Sequence, residues 1–458
     1  MSIIKPFLAD SAFPQLEIAG ISELMREIFQ KHLQPLGGRA YHVQDCRLSR
    51  VNNRQGTHCI LQHTLRLAEA ETGCERIQWV TSVMYAEDRT PQKWGKLRVY
   101  NPGEIPDISS TFEPFFFIPD LRMLVQVFPY DHGLPTLPLL MAGPSPELEA
   151  LLLARFGPGD WHAEAWNVEP LHYRAELRAT LRLTVQAQDN VTGRTEERHF
   201  YAKVYNDKEK GEQTYQVLRA LWDKTSAGDA GFTVGRPIAY LNDLRTLLQE
   251  ETPGTSLEDI LLQQDEATPA MRKAAGTLVA LHLDHVPMSQ RRCLRDEIAA
   301  LERAGKQLQW ACPHLRAETQ EIIGAVVAGL EEVALAPTHG DLKLEHILFD
   351  GDRLALLDLD NFAEADPVQD AAKVLAHLAG MPFRSPLPDG CAQTAARAFA
   401  GEYFAHVPET WRDRLPLHYA GAILKVAAGI FRRQEPGWPD TITTLVEEAK
   451  GSLAGKVW

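Results

Sequence analysis

The feature that most constrains the fold of this chain is a predicted hairpin with one acidic residue before it and another after it. A short apolar run, Ile347–Phe349, is followed by Asp350-Gly351, a dipeptide typical of tight hairpin turns, and then by a second apolar run, Leu354–Leu357. Asp341 lies on the loop before the first strand, and Asp358 lies at the end of the second. The hairpin therefore predicts two neighbouring carboxylates, of which one can accept a proton from a hydroxyl group and the other can hold a divalent metal ion.

Further motifs lie on both sides of this hairpin. Ahead of it, an amphipathic helix is predicted to end at the loop His339-Gly340-Asp341, because apolar residues recur there at helical spacing: Ile322, Val326, Val327 and Leu330. After the hairpin comes Asp366-Pro-Val-Gln-Asp370. In this order the motifs resemble the catalytic and metal loops of the aminoglycoside phosphotransferase/choline kinase family, relatives of the protein kinases. That family has His-Gly-Asp, four further residues and Asn, then an aspartate at a strand end, then Asp-Pro-x-x-Asp.

The resemblance implies a role for each residue of the catalytic loop. Asp341 would orient and deprotonate an acceptor hydroxyl, and His339 and Lys343 join it as candidate catalytic residues. Lys343 and Glu345 also match the protein-kinase loop His-Arg-Asp-Leu-Lys-Pro-Glu-Asn. Gly340 replaces the Arg of that pattern, however, so a protein kinase is the weaker match.

The resemblance also implies a metal site. Asp358 would bind a divalent ion, Mg²⁺ or Mn²⁺, against the nucleotide phosphates. The Asn of the family falls on His346, whose imidazole suits Mn²⁺ or Zn²⁺ better than Mg²⁺ if it ligates the metal. Equally, His346 can hydrogen-bond the loop and leave the metal to Asp358. Asp360 is either a second metal ligand or a structural acid.

A candidate nucleotide-binding unit precedes these loops. Leu181–Val185 and Arg198–Tyr205 alternate like antiparallel strands, and Lys203 ends the second of them as the nucleotide lysine of the family does. The helix predicted over Lys208–Trp222 places Glu212 in its first turn, where it can hold Lys203 by an ion pair. ATP or another nucleoside triphosphate is the cofactor that the resemblance implies.

Two segments complete the layout of a kinase small lobe. Leu247–Gly254 resembles the hinge of the family and adds Gln249, Glu250 and Glu251 to the nucleotide-binding candidates. Leu171–Arg178, the loop expected to cover the phosphates, contains no glycine, so the flexible turn of the family is not visible. Amphipathic helices predicted after residue 390 would form the acceptor side of the cleft.

Composition excludes several classes of function. A net charge of -14 and a sequence pI of about 5.6 argue against nucleic acid as the main partner. The six cysteines form no CxxC pair and are predicted to be reduced thiols in the cytoplasm. The chain shows neither a signal peptide nor an apolar run long enough to span a membrane. We therefore expect a cytoplasmic protein with a small-molecule acceptor, no nucleic-acid partner and no membrane partner.

The first 157 residues contain a second copy of the small-lobe pattern. A shift of 120 residues places Thr72-Gly73 on Thr192-Gly193 and Val83 on Lys203. With a shift of 123, Asp120–Gln126 matches Asp243–Gln249. The sequence therefore predicts a duplicated small lobe without the lysine, and the alternative is that unrelated hairpins share such patterns. Maltokinase-like members of the family also carry an additional N-terminal domain.

The predicted fold class is α+β: a bilobal protein-kinase-like domain, with an antiparallel small lobe and a helical large lobe, preceded by a small-lobe-like α+β domain. The predicted domains are residues 1–157, 160–254 and 255–458. The predicted function is ATP-dependent phosphorylation of a hydroxyl group on a small metabolite, such as a sugar, an amino alcohol or an aminoglycoside-like compound. A nucleotide-binding pseudokinase that acts as a regulatory module is the alternative favoured by His346 and the glycine-free loop. A protein kinase is the alternative favoured by Lys343.

Overall fold

The computed structural model describes residues 10–54, 57–86, 89–97, 111–226, 231–263, 267–284, 290–385 and 387–455. These fall into two compact units, the first formed by Met1–Glu212 with Ile238–Glu251 and the second by Gln213–Pro237 with Thr252–Trp458. The outermost predicted domain boundaries, residues 1 and 458, lie outside the described residues. Antiparallel sheets and many helices make the fold α+β, as the sequence predicts.

The first unit is built mainly of strands. Its strands are β1 Tyr41–Arg54, β2 His58–Glu69, β3 Glu75–Tyr85, β4 Phe115–Ile118, β5 Met123–Val127, β6 Trp161–Arg174, β7 Arg178–Asp189, β8 Thr195–Tyr205, β10 Pro237–Leu241 and β11 Thr246–Glu250; the intervening β9 belongs to the second unit. Its helices are α1 Leu16–Ala19, α2 Ser22–His32, α3 Arg89–Leu97, α4 Leu137–Met141 and α5 Pro146–Leu153. Helix α6, Lys208–Thr225, runs from the first unit into the second.

The strands form two five-stranded sheets with equivalent strand order. The first sheet is ordered β1-β2-β3-β5-β4, and the second, read from its other edge, is ordered β6-β7-β8-β11-β10. The cross-strand register is also equivalent, because Val83 faces Ile60 and Leu124 in the first sheet while Lys203 faces Thr180 and Leu247 in the second. These partners are related by the same shifts of 120 and 123 residues that relate the sequences.

The second sheet shares a hydrophobic core with the segment that follows the first sheet. Apolar side chains of β7, β8 and β11 pack against residues of α4, α5 and their flanking loops; the buried members from that segment are Phe128, Leu134, Leu137, Leu140, Leu148, Leu152 and Phe156. Trp79 of β3 packs against the same core. Residues 128–156 thus cover an apolar face that the second sheet would otherwise expose to water.

The second unit is mainly helical. Its helices are α7 Leu257–Gln263, α8 Thr268–Leu283, α9 Leu294–Ala311, α10 Arg316–Gly329, α11 Val368–Gly380, α12 Cys391–Ala405, α13 Glu409–Arg432 and α14 Trp438–Leu453. Its strands are β9 Thr233–Val234, β12 Thr255–Ser256, β13 Ala336–Thr338, β14 Ile347–Asp350, β15 Arg353–Leu356 and β16 Ala363–Ala365. The strands form one sheet ordered β12-β14-β15-β9 and a two-stranded ladder of β13 with β16. No described helix is both long and apolar enough to cross a membrane.

Two predicted boundaries are wrong. Helix α10 ends at Gly329 rather than at the catalytic loop, and the short strand β13 leads into His339 instead. Leu171–Arg174 is the end of strand β6 and not a loop, because its backbone pairs with β7.

Candidate active site

The loop His339-Gly340-Asp341 is held in place by a buried carboxylate. Asp370, in the first turn of α11, accepts the backbone N–H of His339 at 2.6 Å and that of Gly340 at 2.9 Å. Burial raises the pKa of Asp370, but hydrogen bonding from His282 and the loop N–H groups lowers it by more, so the carboxylate is ionised. The second acid of the Asp-Pro-x-x-Asp motif therefore fixes the backbone of the His339-Gly340-Asp341 loop.

His339 connects this loop to the strand that carries Asp358. Its Nε2 lies 2.7 Å from the carbonyl oxygen of Leu357, and its Nδ1 accepts the Asp341 N–H at 3.4 Å. This pattern requires the proton on Nε2. His339 is fully buried. We therefore expect this candidate catalytic residue to position the loop rather than to contact a substrate.

Glycine is the residue type that fits at position 340 of this loop. Its φ is +77°, in the left-handed region, and a Cβ added there would lie 2.4 Å from the carbonyl oxygen of Asn361. The catalytic loop and the turn after Asp358 approach each other this closely because the residue between His339 and Asp341 has no side chain.

The carboxylate of Asp341 pairs with a lysine that the sequence did not single out. Lys373 Nζ, from α11, lies 2.9 Å from Asp341 Oδ1. Burial raises the pKa of Asp341, but the ammonium groups of Lys373 and Lys343 lower it by more, so it lies well below its usual value. Lys343 itself lies 3.2 Å from Glu345 Oε1. Asp341 is thus held ionised, ready to accept a hydrogen bond from a hydroxyl group.

His346 faces Asp358 with an unprotonated nitrogen. Its Nδ1 lies 3.1 Å from the backbone carbonyl of Asp341 and must donate to it, which leaves Nε2 unprotonated, 3.8 Å from both Asp358 Oδ2 and Glu345 Oε1. Burial lowers the pKa of His346 to about 4 against the opposing effect of Asp358, so the imidazole is neutral at pH 7. His346 therefore makes the loop hydrogen bond and still presents a nitrogen toward Asp358.

Asp358 occupies a left-handed backbone position, with φ 56°, at the point where β15 ends. Asp360 follows it on a short 3-10 turn, Leu359–Asn361, and is buried. Within the described part of the chain, no group of three or more His, Cys, Asp or Glu side chains could hold a metal by itself. Asp358 nevertheless fits a nucleotide-bound ion, because Mg²⁺ is commonly held by one or two carboxylates with substrate phosphates and water, and a nitrogen ligand from His346 would suit Mn²⁺ better.

The candidate nucleotide-binding residues lie in the first unit. Lys203, on β8, faces Leu247 of β11, and its Nζ lies 5.8 Å from the ring centroid of Tyr205. Glu212 is exposed on α6, where Glu209 rather than Glu212 is the acid of the first turn. The ion pair between Lys203 and Glu212 stays a prediction.

The predicted hinge residues lie on β11 and directly after it. Gln249 and Glu250 end β11, which pairs with the lysine-bearing strand β8. Glu250 Oε1 lies 3.4 Å from Arg155 Nε, and the backbone N–H of Glu251 donates to the His199 carbonyl at 3.2 Å. Their adenine-binding role stays a prediction.

A charged network beside the catalytic loop escaped the sequence reasoning. Asp366 accepts hydrogen bonds from Arg414 at 2.8 and 3.0 Å and lies 2.9 Å from His418 Nε2. His418 Nδ1 lies 3.1 Å from Glu297. Burial alone would lower the pKa of His418, but hydrogen bonds to both carboxylates raise it to about 9. For Lys373 a signal was present, since it lies one turn after Asp370. Asp366 belongs to the Asp-Pro-x-x-Asp motif, but its partners gave no signal, because Arg414 and His418 come from α13 and Glu297 comes from α9.

One known protein family matches the sequence of this chain. The APH model, which describes the phosphotransferase enzyme family, matches residues 159–413, more than half of the chain. The chain belongs to this family, as the sequence motifs predict. Membership of this family makes it a phosphotransferase. No curated protein sequence matches the chain.

Solved structures resemble the chain at low sequence identity. They include an ethanolamine kinase from Plasmodium vivax, with 12% identity, a TM-score of 0.42, and coverage of 64% of this chain and 83% of that chain. A choline kinase from Cryptosporidium parvum has 11% identity, a TM-score of 0.45, and coverage of 63% and 89%. A streptomycin-ATP-APH(2")-IIa ternary complex has 12% identity, a TM-score of 0.42, and coverage of 68% and 99%. Similarities this distant do not identify an acceptor.

Proposed function

We propose that this protein transfers the γ-phosphoryl group of ATP to a hydroxyl group of a small metabolite, with Asp341 as the residue that binds and deprotonates that hydroxyl. The observation that carries the proposal is the ionised carboxylate of Asp341, held by Lys373 at 2.9 Å beside His346 and Asp358. Such a carboxylate accepts a hydrogen bond from a neutral alcohol and aims its oxygen at an electrophile.

The proposed reaction forms one bond and breaks one. The acceptor oxygen attacks the γ-phosphorus, the bond from phosphorus to the β–γ bridging oxygen breaks, and ADP leaves with the electron pair of that bond. The proton of the hydroxyl passes to Asp341. Because the pKa of Asp341 is well below its usual value, the carboxylate is a weak base. It therefore acts mainly by orienting the hydroxyl, and proton transfer follows as the new bond forms.

The proposal includes a divalent metal and a nucleotide lysine. A metal bound by Asp358, with His346 Nε2 as an additional ligand, would neutralise charge on the phosphates. The first unit would bind the nucleotide through Lys203, with Glu212 positioning the lysine and Gln249, Glu250 and Glu251 at the adenine edge. We assign Asp360 to structure, because it is buried on the turn that follows Asp358.

We further propose that residues 1–157 are a copy of the small lobe that has no phosphoryl-transfer site of its own, resembling the additional N-terminal domain of maltokinase-like members. The equivalent strand order and register of the two sheets support this reading. Val83 occupies the position of Lys203, and no His-Gly-Asp sequence follows the first sheet before the second begins.

Asp341→Asn tests the proposed chemistry. The variant should keep its melting temperature and its ATP affinity while turnover falls by about 10² to 10⁴, the usual contribution of a positioned base. Turnover is measured as ADP release against a panel of hydroxyl-bearing metabolites. Asp352→Asn, on the exposed hairpin turn, is the matched control and should be unchanged. Wild-type turnover in Asp341→Asn would remove this residue from the mechanism.

The metal assignment has a separate test. Asp358→Ala should abolish metal-dependent nucleotide binding measured by calorimetry. His346→Asn should shift the preference toward Mg²⁺, because an amide oxygen is a harder ligand than an imidazole nitrogen. If both variants respond to Mg²⁺ and Mn²⁺ as the wild type does, the ion binds elsewhere.

A further inference from the structure

A cavity of about 180 Å³ lies in the second unit beside the catalytic loop. Gly340 and Asp370 line one side of it. Lys373 lines it as well, and its Nζ contacts the carboxylate of Asp341. A small molecule bound in this cavity would therefore lie within reach of the oxygen that we propose to accept the hydroxyl proton.

Three cations from three different elements line the cavity. Arg292 precedes α9, Lys373 lies in α11, and Lys425 lies in α13. Burial lowers the pKa of Arg292 and of Lys425, because removal from water disfavours their charged forms. Arg292 donates to the neutral acceptor Asn361 Oδ1 at 2.7 Å, while the nearby carboxylates of Asp341, Asp370 and Asp296 raise its pKa against the effect of burial.

The carboxylates that line the same cavity already have partners. Asp370 accepts two backbone N–H groups and lies 3.3 Å from His282 Nε2. Asp296 caps the start of α9 by accepting the N–H of Cys293 at 2.9 Å.

Glu297 contacts three side chains. It accepts from Gln369 Nε2 at 2.6 Å and lies 3.1 Å from the charged ring of His418. Lys425 Nζ lies 3.7 Å from it and so shares this one carboxylate with His418. Lys373 and Lys425 also have acidic partners, Asp341 and Glu297. The cavity lining nevertheless contains four cationic side chains and three carboxylates: Arg292, Lys373, Lys425 and His418 against Asp296, Glu297 and Asp370.

We infer that this cavity is the acceptor site and that it takes a hydroxyl compound bearing a carboxylate or phosphate group, rather than an amino alcohol or an aminoglycoside. The inference rests on the proposed function and narrows its substrate class. An anionic group on the acceptor would form charge-assisted hydrogen bonds with Arg292 and Lys425. A cationic acceptor would meet the like charges of Arg292, Lys373 and Lys425, and would have to compete with protein donors for the carboxylates of Asp296, Glu297 and Asp370, so it would be disfavoured.

The anionic group could instead belong to the nucleotide, because a γ-phosphate near Asp341 carries the same chemistry. Nucleotide binding therefore has to be measured separately from acceptor binding. If the cations serve the acceptor, their removal raises the KM for the acceptor and leaves the affinity for ATP unchanged.

The test uses the full-length protein and two matched sets of acceptors that differ in charge. One set is glycerate, glycerol and 3-amino-1,2-propanediol, and the other is gluconate, glucose and glucosamine. We expect the anionic member of a set to have a kcat/KM at least tenfold above the other two, a difference of about 1.4 kcal/mol. A preference for a neutral or cationic member overturns the inference and leaves the proposed function standing.

Variants decide the outcome if no compound of either set is phosphorylated. With ADP saturating the nucleotide site, inorganic phosphate should raise the melting temperature of the wild type. Arg292→Gln and Lys425→Met should bind phosphate at least tenfold more weakly, while Arg303→Gln, exposed on α9, should behave as the wild type. That result supports the anion site even where the proposed function fails. Equal phosphate binding in all four proteins, or a parallel loss of ATP affinity in the cavity variants, overturns the inference.

Discussion

The two five-stranded sheets of the first unit have equivalent frameworks and different chemistry. Their turns are equivalent in detail: Gly73 donates to the Glu69 carbonyl and Gly193 to the Asp189 carbonyl, each at 2.8 Å, with φ of 70° and 72°. Each glycine follows a threonine whose hydroxyl donates to the same acidic residue. The sheets differ at the position that would meet a nucleotide, which is Val83 in the first sheet and Lys203 in the second.

The first sheet uses the face of Val83 for packing. Val83 is fully buried in a small apolar cluster with Ile60 and Leu124, and Trp94 and Ala175 pack against it. Ala175 lies on the turn between β6 and β7 of the second sheet. The face of the first sheet that corresponds to the Lys203 face of the second is therefore closed by a contact from the second sheet.

The same turn is tied to the first sheet by hydrogen bonds. Asp131 Oδ2 accepts the Glu176 N–H at 2.6 Å and the Tyr173 hydroxyl at 2.8 Å. Glu176 has a φ of +61°, which a non-glycine residue adopts only when its surroundings hold it there. The segment Leu171–Arg178 contains no glycine, and contacts with Asp131 hold the backbone of Glu176 in the left-handed conformation instead.

The largest expected effect comes from removing the first copy. Deletion of residues 1–159 would expose the apolar face of β7, β8 and β11 that residues 128–156 cover. Each large side chain that loses its cover costs about 1.5 to 3 kcal/mol, and a few such losses exceed the stability of an ordinary domain. We expect aggregation, measured by size-exclusion chromatography and light scattering.

A shorter deletion sharpens this test. Removing residues 1–126 keeps the covering segment and should be less prone to aggregate than the longer deletion. A protein starting at Asp160 that stays monomeric, soluble and fully active would show that the first copy is an independent appendage.

The next effect compares the two equivalent positions directly. Lys203→Ala should lower turnover by about 10² to 10³, because it removes a cation from the transferring phosphoryl group, and should change stability little. Val83→Ala should show the reverse: stability falls by roughly 1 to 3 kcal/mol because a buried side chain is truncated, while ATP affinity is unchanged. ATP titration and thermal unfolding of both variants measure the two effects. If the sensitivities are exchanged, the first sheet is the catalytic copy.

The sequence predicted those parts of the molecule that depend on local pattern. The alternation of β7 and β8 is found where predicted, and the hairpin turn lies at Gly351-Asp352, one residue after the predicted Asp350-Gly351. Each of these patterns, like the loop motif around Asp341, lies within a short segment. The end of α10 was missed because β13 has three residues, too few to show a period.

The cavity was missed for a different reason. Arg292, Lys373 and Lys425 come from positions far apart in the chain, and only the packing of α9, α11 and α13 brings them together. Lys373 lies one turn after Asp370, but no local pattern marks Arg292 or Lys425, because a lone basic residue is most often solvated.

The smallest expected effect concerns the two equivalent turns, where replacing either glycine should cost the same stability. Gly73→Ala and Gly193→Ala should each destabilise the protein by about 1 kcal/mol, because a left-handed L-residue costs about 1 to 2 kcal/mol and alanine recovers part of this by restricting the unfolded chain. Neither new Cβ would meet an atom within 4 Å, so backbone conformation alone sets the cost. Gly324→Ala, in α10 with equally open surroundings, is the control and should stabilise by roughly 0.5 to 1 kcal/mol through helix propensity. Thermal unfolding of the three variants measures these changes, and a cost at Gly193 that exceeds the cost at Gly73 by more than about 1 kcal/mol would mean that the two turns are alike in geometry but not in energy.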